Sequence, residues 1–180
     1  GLWQKLFICF RSDQYDKEWH FIDGTYIKAH QHAAGAPNGQ LASIGISAGG
    51  RTSKIHMLAD GHGNPVRFII TEGNVHDSQP ACELIYPCEA DFVVADKAYD
   101  SQEIRDQVTL EDSVPIIPLR SNSTKENPVY DKYIYQLRHL VENLFARLKH
   151  FRSIATRYDK LARNYASMLA LACTFIWIKL

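Results

Sequence analysis

The 180-residue sequence predicts an α/β fold, a mixed β-sheet flanked by helices. Three observations carry that expectation: β-favouring runs come first, strand and helix patterns then alternate, and the chain closes on two long helical stretches. Length, apolar content and ordinary Gly and Pro usage fit one globular domain with a sizeable core. Leu2 to Phe10 reads as a short helix. The run WHFIDGTYIKAH reads as a strand because Phe21, Ile22, Tyr26 and Ile27 favour β structure, with Asp23 as the anomaly in its middle. Residues 31–52, with AAGAPNG and SAGGR, read as a loop. KIHMLAD and PVRFIIT flank GHGN as two antiparallel strands joined by a turn, in which Asp60 is a turn residue.

NVHDSQPACELIY then predicts a helix with Asp77 or Ser78 as N-cap and Pro80 in its first turn. In DFVVADKAYDS, Phe92 to Ala95 form a buried strand that ends where Asp96 arrives. A helix from about Ser101 to Val108 follows, then the short strand VPIIPLR and the polar loop SNSTKENP. Asp131 caps a helix running to about His150. The apolar run MLALACTFIWI is too short for a membrane span and keeps a helical period through Leu161, Tyr165, Met168, Leu169 and Ala172, so it is a core helix.

The formal net charge is zero, which excludes a uniformly basic nucleic-acid binder. The distribution is polarised instead. From Asp131 to Arg163 eight basic residues stand against three acidic ones, a net +5, and the rest of the chain carries −5. Such a chain can lay one face on a polyanion. Cys9, Cys82, Cys88 and Cys173 form no CxxC pair and read as reduced thiols of a cytoplasmic protein. His30, His32, His56, His62 and His76 match no closed four-ligand zinc pattern.

Three carboxylates need a reason: Asp23 inside an apolar strand, Asp96 at the end of another, and Glu142 on the polar face of the helix YQLRHLVENLFARLK. Leu137, Val141, Leu144 and Leu148 make that helix's apolar stripe, opposite Tyr135, Arg138, Glu142 and Lys149. Two readings stand side by side. Either the acids serve caps, turns and a solvated face, or they converge at the carboxyl ends of the strands to hold Mg²⁺ or Mn²⁺ for phosphodiester chemistry.

The spacing Tyr135, two residues, Arg138, three residues, Glu142, six residues, Lys149 resembles the catalytic-helix signature of the DDE transposases of insertion-sequence families four and five. IDGTYIKAHQHAAGA, GGRTSKIHMLADGHGNPV and GNVHDS are similar to the family-five blocks around and after the first aspartate, and VADKAYDS to the block of the second. The resemblance covers nearly the whole chain. It implies a ribonuclease H-like fold and cleavage and strand transfer at insertion-element ends, with Asp23, Asp96 and Glu142 holding two Mg²⁺ or Mn²⁺ ions. It further implies that Tyr135, Arg138 and Lys149 contact the DNA backbone, and that the partners are double-stranded DNA, both transposon end and target, and a second copy of the chain in a homodimeric complex. The setting would be bacterial and nucleoid-associated. Ala98 stands where the family commonly has glycine, and the family's N-terminal DNA-binding helices are expected before Gly1. Two other functions stay open at this point: a non-catalytic DNA-binding or assembly module derived from a transposase, and a ribonuclease H-like nuclease without strand transfer. Lys97 and Tyr99, beside Asp96, are open to DNA contact or to packing.

Overall fold

One long strand organises the molecule. In the computed structural model, which describes residues 1–11, 15–33, 42–120 and 130–178, β1 (Trp19–Ala29) is the strand about which a seven-stranded mixed sheet is assembled. Along one edge it pairs antiparallel with β3 (Gly50–Asp60), from His20 opposite Asp60 to Lys28 opposite Thr52. β3 in turn carries β4 (Pro65–Glu72) and, at its start, the short β2 (Gly45–Ser47). Along its other edge β1 is shared by two parallel partners. β5 (Phe92–Ala95) takes residues 19–22 and leads on to β6 (Val114–Ile116), while β7 (Thr156–Arg157) takes Lys28 and Ala29.

The alternation of a strand puts successive side chains on opposite faces, and each face of this sheet has its own core. Phe21, Ile27, Ile55 and Met57 face one way, into a cluster with Val141, Leu144 and Leu148 of α5 (His139–Lys149) and Leu169, Cys173 and Trp177 of α7 (Ala162–Ile178). The helix α1 (Leu2–Arg11) joins this layer through Phe7, and α6 (Arg152–Ala155) through Ile154. Ile22, Leu58 and Val93 face the other way, against Leu84 and Ile85 of α2 (Ala81–Ile85) and Ile104 and Val108 of α3 (Gln102–Leu110).

Several expectations need correction. Residues 31–52 are not one loop: β2 and the start of β3 lie within them, because Ile46 and Thr52 find ladder partners across the 48–49 turn, while residues 34–41 lie outside those described. SNSTKENP, residues 121–128, also falls outside. The helix expected from Asp131 to His150 is two helices, α4 (Lys132–Gln136) and α5. Asp131 does cap the first, accepting from the Tyr133 and Ile134 amides. Between them the amides of Leu137, Arg138, Leu140 and Val141 bond three residues back rather than four, a tighter 3₁₀ winding, and Arg138 at this break reaches across to β1. Neither Asp77 nor Ser78 caps α2, whose N-cap position is Pro80, because Asp77 is engaged elsewhere. Met168 lies on the exposed side of α7, while Tyr165, Leu169 and Ala172 are buried. Among the described residues no helix is long and apolar enough to cross a membrane.

The β3–β4 turn positions α5. Asp60 is fully buried and accepts from the Asn64 and His62 amides at 2.7 and 3.0 Å and from the Asp16 amide at 3.3 Å. Within that turn Gly63 has φ +73°, and a Cβ there would lie 3.3 Å from the Leu140 carbonyl, so the turn packs against the first turn of α5. Arg147 returns a 3.4 Å bond to the Gly63 carbonyl. Asp60→Ala strips buried N–H donors of their acceptor and is expected to cost about 1–3 kcal/mol. Urea denaturation of parent and variant checks it, and an unchanged midpoint would refute the role.

Candidate active site

Parallel pairing of β1 and β5 stops at Ile22 opposite Ala95. The next residue on β1 is Asp23 and the residue that follows β5 is Asp96, so the register brings the two acids to the same end of the strand pair, at the carboxyl end of β5. From Asp23 to Ile27 that edge of β1 has no strand partner among the described residues until β7 begins at Lys28. The strands fork here. Such a fork at strand carboxyl ends is where open α/β sheets collect ligands.

Asp23 projects to the α5 side, since its register partner Met57 belongs to that core. Its Oδ1 accepts from the Gly24 amide at 2.8 Å and its Oδ2 from Arg138 at 2.8 Å. The second guanidinium nitrogen of Arg138 donates to Glu142 Oε1 at 2.5 Å. One arginine thus bridges two of the three acids. Asp96 ends β5 in an extended conformation and caps the 3₁₀ turn Lys97–Tyr99 by accepting from the Ala98 amide. Burial raises the pKa of Asp23, and the charge of Asp96 raises it further, against the pull of Arg138 and the Gly24 amide.

Of the residues expected to meet DNA, Lys149 donates from Nζ to Thr25 Oγ1 at 2.7 Å, two residues along β1 from Asp23. Arg138 is a fifth exposed and occupied by the two acids. Tyr135 is half-buried with its ring 5.6 Å from that of Tyr130. Within the basic segment Arg157 is fully buried, donating to Ser53 Oγ and to the Ser43 and Asp159 carbonyls, so it braces the fold rather than a surface. Lys132, Arg147, Lys149, Arg152, Lys160 and Arg163 remain exposed. Lys97 is exposed, whereas Tyr99 is buried and packs.

The three carboxylates are hard oxygen donors suited to Mg²⁺ or Mn²⁺. Asp23 and Asp96 present such donors at the fork, and Arg138 bonds both Asp23 and Glu142. Among the described residues no three of His, Cys, Asp and Glu are themselves gathered closely enough to hold a metal. That holds for the histidines too: His30 and His32 meet ring to ring, and His56 is buried against Thr71.

Sequence reasoning passed over a second group on the opposite face of β1: Lys54, His56, Asp77 and Tyr99. Its signal was present in KIHMLAD, where Lys54 and His56 alternate with apolar residues at strand period. Both are buried.

The architecture is a ribonuclease H-like fold, a mixed sheet flanked by helices. The chain superposes on a chain of the piggyBac transposase synaptic complex with hairpin DNA at a TM-score of 0.55 and 12% identity, covering 89% of this chain and 47% of that one. A chain of the simian T-cell lymphotropic virus intasome gives a TM-score of 0.54 at 15% identity, covering 89% and 49%. Residues 16–177 match the family model described as transposase DDE domain, and the chain belongs to that family. It is 31% identical over 133 residues to a protein of Brucella ovis assigned as the transposase of insertion sequence element IS6501, covering 71% of this chain and 99% of that protein. A Burkholderia cepacia protein assigned to element IS402 is also 31% identical, over 69% of this chain and 62% of the relative.

The electrostatics of Asp23 have a stability consequence. A carboxyl raised above its ordinary 3.8 binds its proton more tightly folded than unfolded, so stability is lost as pH rises from 3.8 through the raised value. Asp23→Asn is therefore expected to raise the melting temperature at neutral pH, with a gain that shrinks as the pH falls below 3.8. Thermal denaturation of both chains across pH tests this, and a variant less stable at neutral pH would contradict it.

Proposed function

We propose that this domain cleaves and joins DNA at the ends of an insertion element in a divalent-metal-dependent reaction, with Asp23, Asp96 and Glu142 as metal-holding acids. The observation that carries the reading is the register of β1 and β5, which sets Asp23 beside Asp96, together with the arginine joining Asp23 to Glu142. When bound, a pair of Mg²⁺ or Mn²⁺ ions supplies Lewis acidity to the phosphate and lowers the pKa of the attacking water or 3′-hydroxyl.

The chain's own residues do the rest. Asp23 and Asp96 orient their oxygens into the fork, and the Gly24 and Ala98 amides fix the carboxylate planes. Arg138 balances Asp23 and Glu142, and once those acids engage cations its guanidinium is free to donate to a phosphate oxygen. Lys149, with Tyr135, tracks the backbone on the same side. The sequence blocks around Asp23, after it and at Asp96 support membership of insertion-sequence family five. A homodimer on paired element ends in a bacterial nucleoid, with end recognition by a further N-terminal region, completes the reading.

With element-end DNA and Mg²⁺, Asp23→Asn, Asp96→Asn and Glu142→Gln are each expected to lower the cleavage rate by about 100-fold or more, since a metal-borne stabilisation of several kcal/mol is lost. DNA affinity should change little. A Glu142→Gln chain that cuts like its parent would remove that residue from the site.

The six exposed cations from Lys132 to Arg163 predict strong salt dependence. The logarithm of DNA affinity should fall with the logarithm of salt at a slope of roughly −3 to −5, as several phosphate counterions are released. Fluorescence anisotropy at graded salt measures it, and a flat response would refute the basic-face reading.

A further inference from the structure

Asp77 stands in the segment between β4 and α2, yet it caps nothing there. Its carboxylate lies instead on the face of β1 opposite Asp23. The side chains of His56 and Lys54 belong to that face by strand alternation and register, as would a Cβ on Gly24, since Gly24 pairs with His56 and Tyr26 with Lys54. A Cβ placed on Gly24 would lie 2.7 Å from Asp77 Oδ1, so the carboxylate rests in the space that only glycine leaves, directly behind the residue bearing the first catalytic acid.

That position is built rather than incidental. Lys54 is 3% exposed and sits 3.2 Å from Asp77 Oδ1, a charge contact without the alignment of a hydrogen bond. Its aligned bond goes to the Val75 carbonyl at 2.8 Å, in the same segment. The ammonium also lies 4.5 Å from the centre of the Tyr26 ring, so three groups hold it in place. His56, fully buried, is bonded to Thr71 through Nε2 and presents Nδ1 to Asp77 Oδ1 at 3.6 Å. Burial keeps this imidazole neutral down to about 4, so Lys54 supplies the countercharge. A buried lysine left without its acid is costly, which makes the pair a firm peg.

The turn after β5 is buried on the same face of the sheet. Tyr99, in the turn that Asp96 caps, is 1% exposed, and its hydroxyl has no hydrogen-bond partner among the described residues. Burial raises its pKa, and the charges of Asp77, Asp23 and Asp96 raise it further, in that order. The charge of Arg138 opposes that rise.

We propose that Asp77 is a positioning residue for Asp23: anchored by Lys54, it seats on Gly24 and fixes the end of β1 relative to the Asp96 turn, so that the two catalytic aspartates keep the separation a divalent ion requires. The inference rests on the metal reading of Asp23 and Asp96. Asp77 touches neither metal nor DNA in this scheme. It acts through the backbone of the residue next to the acid, as partners behind a metal ligand do elsewhere, where their loss costs about 10- to 100-fold in metal affinity or activity.

The test uses the full chain. Mn²⁺ affinity, read by electron paramagnetic resonance, should weaken about 10- to 100-fold in Asp77→Asn, and kcat for cleavage should fall, while DNA affinity and far-ultraviolet circular dichroism stay at parent values. Gly24→Ala should reproduce the loss by displacing the carboxylate, and adding Gly24→Ala to Asp77→Ala should cost little more. Parent-like Mn²⁺ affinity and kcat in Asp77→Asn would overturn the proposal, as would full additivity of the two substitutions. Asp23→Asn separates this from the underlying reading: Mn²⁺ uptake indifferent to that change overturns the metal site itself. A metal-free reporter then still decides on Asp77, because the Gly24 amide donates to Asp23. Its nuclear magnetic resonance shift should move in Asp77→Asn and in Lys54→Met, and an unmoved signal would rule the seat out.

Discussion

Everything about the site follows from where two parallel strands stop pairing. β1 and β5 run together through Ile22 and Ala95, and one residue later both carry an aspartate into a gap that β7 closes five residues further on. Parallel strands need a crossover to meet, and here the crossover contains β2, β3 and β4, which extend the sheet, and α2, which packs on the face opposite α5. The acids are thus neighbours by backbone geometry, while only Glu142 depends on helix packing to reach them. The buried stripe of Val141, Leu144 and Leu148 and the glycine-bearing turn at 60–64 set that helix.

Charge is handled locally. A fork holding two half-buried carboxylates would be unfavourable alone, and Arg138 supplies positive charge there, tied to Asp23 on one side and Glu142 on the other. Arg157, by contrast, is wholly internal, satisfied by carbonyls and a serine. The same residue type serves electrostatics in one place and architecture in the other. On the reverse face Lys54 and Asp77 form a second ion pair, with the lysine buried.

Much of this was legible in the residues. Strand boundaries at Trp19 and Phe92 followed from β-branched and aromatic runs, and the cap at Asp131 from its place before a periodic helix. Asp23 and Asp96 stood out because carboxylates rarely sit in or at the end of apolar strands. What escaped was tertiary. β2 spans only three residues, too few for a periodic signal, and the break between α4 and α5 has no proline or glycine to announce it. Asp77 was legible as a helix cap by local chemistry, since an acid before a Pro-initiated helix ordinarily caps it. A buried lysine brought to it from β3 wins instead, and no local pattern encodes that meeting.

The last partner of β1 gives the topology a temporal meaning. Lys28 and Ala29 pair with Thr156 and Arg157, and the face bearing Asp23 is covered by helices from the final third of the chain. Contacts of such long sequence separation are slow to form, so during synthesis the far end of that β1 edge stays unpaired until almost all the domain has emerged. A nascent chain therefore carries both aspartates long before it can enclose them, and their arrangement is set by completion of the fold rather than by their appearance.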